Sequence, residues 1–171
     1  MIIPSWLAFA RRLIGTKEKI GPDHNPVVLK FWETAQIKLR VVDDETPWCA
    51  AFVGAMLFSV GYPGTCSGMA QSYSNSNLFI KIPGESPIPI GAIAVFSSPS
   101  RGKTAGHVGF VEGQTPTHLL TLGGNQGNSV SVAPFPRSNL IGLFWPAKAP
   151  SHSKMPEAPY SQAAPTEVSD R

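Results

Sequence analysis

Asp43-Asp44-Glu45-Thr46-Pro47-Trp48-Cys49-Ala50-Ala51-Phe52-Val53 predicts the start of a helix with a thiol in its first turn. Thr46 can cap that helix by accepting from a free backbone N–H. Pro47 suits the first helical position, where a missing N–H costs nothing. Cys49 then falls among the unpaired N–H groups, where the positive end of a helix dipole favours a thiolate. Ala50, Ala51, Gly54 and Ala55 are small enough for close packing, and Phe52, Val53, Met56 and Val60 supply an apolar stripe at helical spacing. The expectation is a buried helix with one sulfur at its tip.

A nucleophilic thiol needs a base. Gly106-His107-Val108-Gly109-Phe110-Val111 places an imidazole at the head of a β-branched and aromatic run, as a strand would deliver it. Leu122-Gly123-Gly124-Asn125-Gln126-Gly127-Asn128 then ends another strand and offers an amide to orient the ring. Cys, His and Asn in that chain order form the pattern of a thiol hydrolase whose partners meet on folding. Cys49, His107 and Asn125 are therefore the candidate catalytic residues. Trp48, Asp44, Gln71 and Gln126 are the candidate substrate contacts.

Composition narrows the class. The chain has 171 residues, enough for one domain with a proper core, and a net charge of +3. No Lys/Arg cluster interleaved with aromatics points to nucleic acid. No apolar run reaches the length of a membrane span. The N-terminus lacks a basic leader, and Arg11-Arg12 interrupts its apolar stretch, so no general secretory signal is visible. Action outside the cytoplasm would then need another route. Two cysteines, Cys49 and Cys66, make no disulfide framework. No Cys and His pair has close ligand spacing, and neither metal nor cofactor is expected.

Helical spacing opens the chain after Pro4-Ser5 and stops at Gly15, then resumes from Val27 to Leu39. His24 sits in the turn-rich loop between, and Asp43-Asp44-Glu45 forms a carboxylate cluster before the key helix. The Cys49 helix ends at Gly61, and Met69 and Tyr73 show a further helical spacing. Ile82 to Ile90 carries three prolines and reads as an extended connection. Short strands follow at 92–96, 107–111, 119–122, 129–132 and 140–145, divided by Gly, Pro and Asn turns. Helices first and strands after predict an α+β fold with an antiparallel sheet of about five strands. Past Pro146 the chain turns to Pro, Ser, Ala and charge without periodicity. The division expected is one domain over 1–147 and a disordered tail over 148–171.

These pieces together resemble the CHAP family, cysteine- and histidine-dependent amidohydrolases and peptidases within the NlpC/P60 group of papain-like cell-wall hydrolases. The matching residues are Gly15-Thr16-Lys17-Glu18, His24-Asn25-Pro26, the Asp43 to Val53 stretch, Gly106 to Val111, Gly123 to Val130 and Leu143-Phe144-Trp145-Pro146. The resemblance implies a papain-like fold, with the helices packed on the sheet. It implies Cys49 as nucleophile, His107 as base and Asn125 as a polar third member. The substrate it implies is peptidoglycan, cut in its stem peptides or at the glycan-to-peptide amide. The family often has Gly-Asp where this chain has Gly91-Ala92, and many relatives carry an acid near the third position, where only Asn125 and Gln126 stand here.

A lone catalytic domain of this kind fits a phage lysin, or an effector delivered into rival bacteria and held in check by an immunity or carrier protein. A monomer is expected in either setting. The rival readings are a catalytically silent wall-binding module of the same shape and a thiol-dependent acyltransferase using the same thioester.

Overall fold

The computed structural model describes residues 2–41, 43–44, 46–84, 86–102 and 105–162. Helices come first: α1 (Ser5–Arg11), α2 (Pro26–Thr34), α3 (Cys49–Ser59) and the single turn α4 (Ser72–Asn75). The strands are β1 (Phe79–Lys81), β2 (Ile93–Ser97), β3 (Gly106–Gln114), β4 (His118–Gly123), β5 (Ser131–Pro136) and β6 (Leu140–Pro146). They form one antiparallel sheet in the order β1-β6-β2-β3-β4-β5. The fold is α+β as the sequence predicts, with six strands in place of about five.

The sixth is β1, three residues paired with β6 and too short to show an alternating pattern. The strand expected at 129–132 lies instead at Ser131–Pro136 and includes Pro134 and Pro136. β5 is an edge strand, where a residue without an N–H is tolerated, so these prolines do not break it.

Cys49 is the first residue of α3, with Trp48 in the cap position and no side-chain cap. Thr46 does not cap the helix: its N–H and Oγ1 both donate to Asp43 Oδ1, closing a local turn. Glu45, the third acid of that cluster, lies outside the described residues. The first backbone bond into α3 runs from Phe52 N–H to Trp48 O, so the N–H of Cys49 lies ahead of the helical ladder.

Every residue of α3 from Cys49 to Leu57 is buried, between α1 and α2 on one side and β3 and β4 on the other. A helix apolar all round is what such a central place requires. Fully burying a side chain such as Phe52, Met56 or Leu57 contributes roughly 1.5–3 kcal/mol. Close approach is enforced at Gly54, where a Cβ would lie 2.9 Å from Ala35 Cβ.

The sheet is rolled. β5 and β6 lie four places apart in the strand order, yet only Arg137–Asn139 joins them. Four steps of about 4.8 Å make roughly 19 Å in a flat sheet, whereas the linking chain spans at most about 14 Å. Curling brings the Phe135 ring of β5 onto Phe96 of β2 at 5.0 Å.

The chain beyond 147 departs from expectation. Residues 148–162 strap across the sheet end: Pro150 O accepts from Trp145 Nε1, Ile90 N–H donates to Pro156 O, and Ala158 N–H donates to Ile88 O. Ala158 is buried. Backbone pairing of this kind needs no apolar period, so the segment reads as featureless while being held. The rest of the expected tail, 163–171, lies outside the described residues. Among the described residues no helix is long and apolar enough to cross a membrane.

Candidate active site

Cys49 lines a cleft of about 270 Å³ with Pro47, Gly68, Met69, Ala70, Arg101, Ala105 and Gly106. Both cysteines are free thiols, and Cys66 is exposed beside the neighbouring hollow that also includes Met69. The sulfur of Cys49 is thus uncommitted and reachable through the cleft.

His107 follows cleft-lining Gly106 as the second residue of β3. Its ring is 1% exposed and stacks on Phe135 at 4.4 Å with 7° between the planes. Nε2 lies 2.9 Å from Gln126 Oε1. The Gln126 amide has no freedom to flip, because its Nε2 donates to Thr121 O at 3.1 Å and Ser131 O at 2.7 Å. Oε1 must therefore face the ring as acceptor, which places the proton of a neutral imidazole on Nε2 and leaves Nδ1 as its basic nitrogen.

Two glycines let this pair approach the tip of α3. A Cβ on Gly123 would lie 2.4 Å from Gln126 Oε1 and 3.1 Å from His107 Nε2. A Cβ on Gly124 would lie 2.5 Å from the Trp48 ring and 2.7 Å from Phe52 Cβ. The Gly123-Gly124 backbone is thus wedged between the imidazole–amide pair and the residues flanking Cys49.

The third member differs from expectation. Gln126, expected to touch substrate, is the amide on His107 Nε2; Asn125, expected there, has φ of 59°. Asn125 lines a groove of about 620 Å³ with Lys17, Glu18, Lys19, Ile20, Pro47, Gly127 and Asn128. Asparagine tolerates this left-handed backbone better than most residues, which suits it to the turn.

Two expected substrate contacts are structural. Trp48 is fully buried, donates Nε1 to Glu18 Oε1 at 2.7 Å and packs between Phe31 and Phe52. Asp44 is shut off from solvent just beneath the surface. Its Oδ2 accepts from the N–H groups of Lys19 and Asn25, and its Oδ1 meets His24 Nδ1 at 3.0 Å. Burial by itself pushes this carboxyl up, but the N–H groups of Asn25 and Lys19 and the His24 ring outweigh it and hold the group below its ordinary 3.8. Asp44 and His24 together fasten the 17–25 loop.

Gln71 stays near the site. Its Nε2 donates to Ala105 O at 3.3 Å, beside cleft-lining Ala70, and steadies the entry to β3. Arg101 also lines the sulfur cleft and was not singled out from sequence, where it stands in a loop without a pattern; Lys17 and Lys19 line the neighbouring groove. Among the described residues no three His, Cys, Asp or Glu side chains converge as metal ligands would.

No curated protein and no solved structure matches the chain. The family model described as CHAP domain matches residues 41–125, from the approach to α3 through His107 to the turn that holds Asn125. With the α+β architecture and this site inside or bordering the matched stretch, the chain belongs to the CHAP domain family.

Proposed function

We propose that this chain hydrolyses amide bonds of peptidoglycan stem peptides through a thioester on Cys49, with His107 as base and Gln126 as the amide that holds the ring. CHAP domains are typically amidases or peptidases acting on peptidoglycan, and membership supports that class of reaction. The observation that supports the finer reading is the Gln126 clamp, which turns Nε2 to the amide and makes Nδ1 the basic nitrogen of the neutral ring.

His107 Nδ1 takes the Cys49 proton, and the thiolate adds to the scissile carbonyl carbon. The oxyanion falls toward the N–H of Cys49 at the head of α3; one such donor is typically worth about 3–4 kcal/mol. The imidazolium returns its proton to the departing amine, leaving an acyl thioester. Water, giving a proton to Nδ1, attacks that thioester and releases the acid; the thiol is restored. General base catalysis by the ring contributes on the order of 10²–10⁴ in rate.

The test is release of soluble muropeptides from purified peptidoglycan, followed by turbidity and by mass spectrometry of the new termini. Cys49→Ala should abolish release while circular dichroism stays native. Equal release by that variant would overturn the proposal. Wall binding without release would favour the silent module, and new amide products with an added amine would favour acyl transfer. A phage lysin or delivered effector is the setting proposed with this activity. Export to the periplasm of a test bacterium should then cause lysis, and retention in the cytoplasm should not.

A further inference from the structure

Cys49 and His107 stand on separate elements, the first residue of α3 and the second of β3. One short turn is bonded to both. Tyr73 Oη donates to Ala50 O at 3.1 Å, one residue past the sulfur. Gln71 Nε2 donates to Ala105 O at 3.3 Å, two residues ahead of the imidazole. Ala105 O also accepts from Ser98 N–H, so the amide joins a carbonyl already held where the β2–β3 ladder ends. Met69 and Ala70, just ahead of Gln71, line the cleft with Cys49 and Gly106.

The turn is cross-linked within itself. Gln71 O accepts from Ser74 N–H at 3.1 Å, Ser74 Oγ at 2.7 Å and Asn75 Nδ2 at 3.2 Å. Ser72 Oγ donates to Met69 O at 2.7 Å and meets Thr65 Oγ1 at the same distance. The Tyr73 ring is buried and packs on Phe79 of β1 at 5.3 Å. Burial pushes its phenol above the ordinary 10.0, so the hydroxyl keeps the proton it donates to Ala50 O. Gln71 Cγ lies 3.4 Å from where a Cβ on Gly106 would stand, so its stem as well as its amide bears on the head of β3.

We propose that Gln71 and Tyr73 are positioning residues that act as one bracket and set the gap between the Cys49 sulfur and the His107 ring. Neither side chain joins the chemistry; each acts through the backbone beside a reacting group. A misplacement of about 1 Å between reacting groups can cost roughly 10²-fold in rate, and these two hydrogen bonds restrain that gap from both sides. A bracket opened at either end is open, so the two residues are coupled and their losses do not multiply. This inference rests on the reading of Cys49 and His107 as a reacting pair.

The experiment compares Tyr73→Phe, Gln71→Ala and the double variant with wild type, each checked by circular dichroism. Tyr73→Phe removes the hydroxyl and keeps the ring on Phe79; should it fail to fold, Gln71→Ala carries the test. Gln114→Leu is the control for lost stability alone, since it frees Arg137 and Ala158 O at the far end of β3. Two readouts are taken: kcat and KM on one muropeptide, and the rate at which iodoacetamide alkylates Cys49, followed by mass spectrometry of its peptide. Each single variant should lose about tenfold in kcat, short of the cost of a full 1 Å displacement, with KM unchanged. Cys49 alkylation should slow in step, and the double variant should be no slower than the worse single one. Gln114→Leu should match wild type in both readouts. A single variant with wild-type kcat, a loss confined to KM, losses that multiply in the double variant, or an equal loss in Gln114→Leu overturns the bracket. Unchanged turnover in the variants of a protein that cleaves would sink the bracket and leave the hydrolase. Slowed alkylation in the variants of a protein that cleaves no muropeptide would sink the hydrolase and leave the bracket.

Discussion

Two buried glutamines sit on this sheet with nearly the same hydrogen bonding and opposite uses. Gln126, 2% exposed, donates to two backbone carbonyls and accepts from His107. Gln114, 1% exposed, donates to Ala158 O and Glu157 Oε1 and accepts from Arg137 Nη2 at 2.7 Å. In each an anchored amide holds a nitrogen donor in place. Arginine keeps its proton at any physiological pH, so the Gln114 set can only clasp, and it ties the 148–162 strap to the end of β3. Imidazole exchanges protons near neutrality, and the Gln126 set holds a ring whose chain neighbour Gly106 lines the cleft with the Cys49 thiol. What makes one a candidate site and the other a fastening is the donor's proton chemistry and the space beside it.

Matched substitutions can break that comparison. His107→Ala should lower hydrolysis by about 10³-fold or more, since base and thiolate partner go together. Arg137→Ala should leave turnover in place and lower the melting temperature. Similar activity losses in the two variants would erase the distinction, as measured by initial rates on one peptidoglycan preparation.

Gln126→Glu sharpens it. A carboxylate there would face the carbonyls of Thr121 and Ser131, so the folded protein should hold the new group protonated and raise its pKa above the unfolded value. A raised folded pKa gives a contribution fully present below about pH 4.3, the unfolded value, and lost as pH rises through the folded one. Melting temperature relative to wild type should therefore fall from acid toward neutral pH; a pH-independent difference would contradict the carbonyl contacts.

Gln114→Leu should cost about 1–3 kcal/mol in denaturant unfolding by taking the Gln114 partner from Arg137 Nη2 and Ala158 O, with turnover intact. Asp44 gives the smallest and most pH-specific effect. Its folded pKa is depressed, so its contribution is present above 3.8 and lost as pH falls through the folded value. Asp44→Asn should reduce stability at pH 7 by about 1–2 kcal/mol, and the gap to wild type in thermal melts should close below 3.8. A gap unchanged at acid pH would show that the charge of Asp44 does not matter.

The helix tip and the strand-borne imidazole were legible because local chemistry marks both: small and apolar residues follow Cys49, and a β-branched run follows His107. The third member was not. Asn125 and Gln126 are adjacent amides in one turn, and the left-handed backbone at Asn125 decides which faces the ring. Trp48 and Asp44 border the nucleophile in sequence, yet burial gives them to the core and the loop clamp, and polarity alone does not reveal burial. The helix-then-strand order carried the α+β class. The rolled shape of the sheet and the strap came from three-residue and backbone-only links that leave no periodic trace.

The most direct measurement sets the two neighbouring amides against each other. Turnover is compared for Gln126→Ala and for Asn125→Gly, which keeps the left-handed backbone, on one muropeptide with folding checked by circular dichroism. A kcat loss of about 10²-fold in Gln126→Ala, with Asn125→Gly within a few-fold of wild type, is expected if the Gln126 carbonyl fixes the working tautomer. The reverse order, or equal losses, would contradict it.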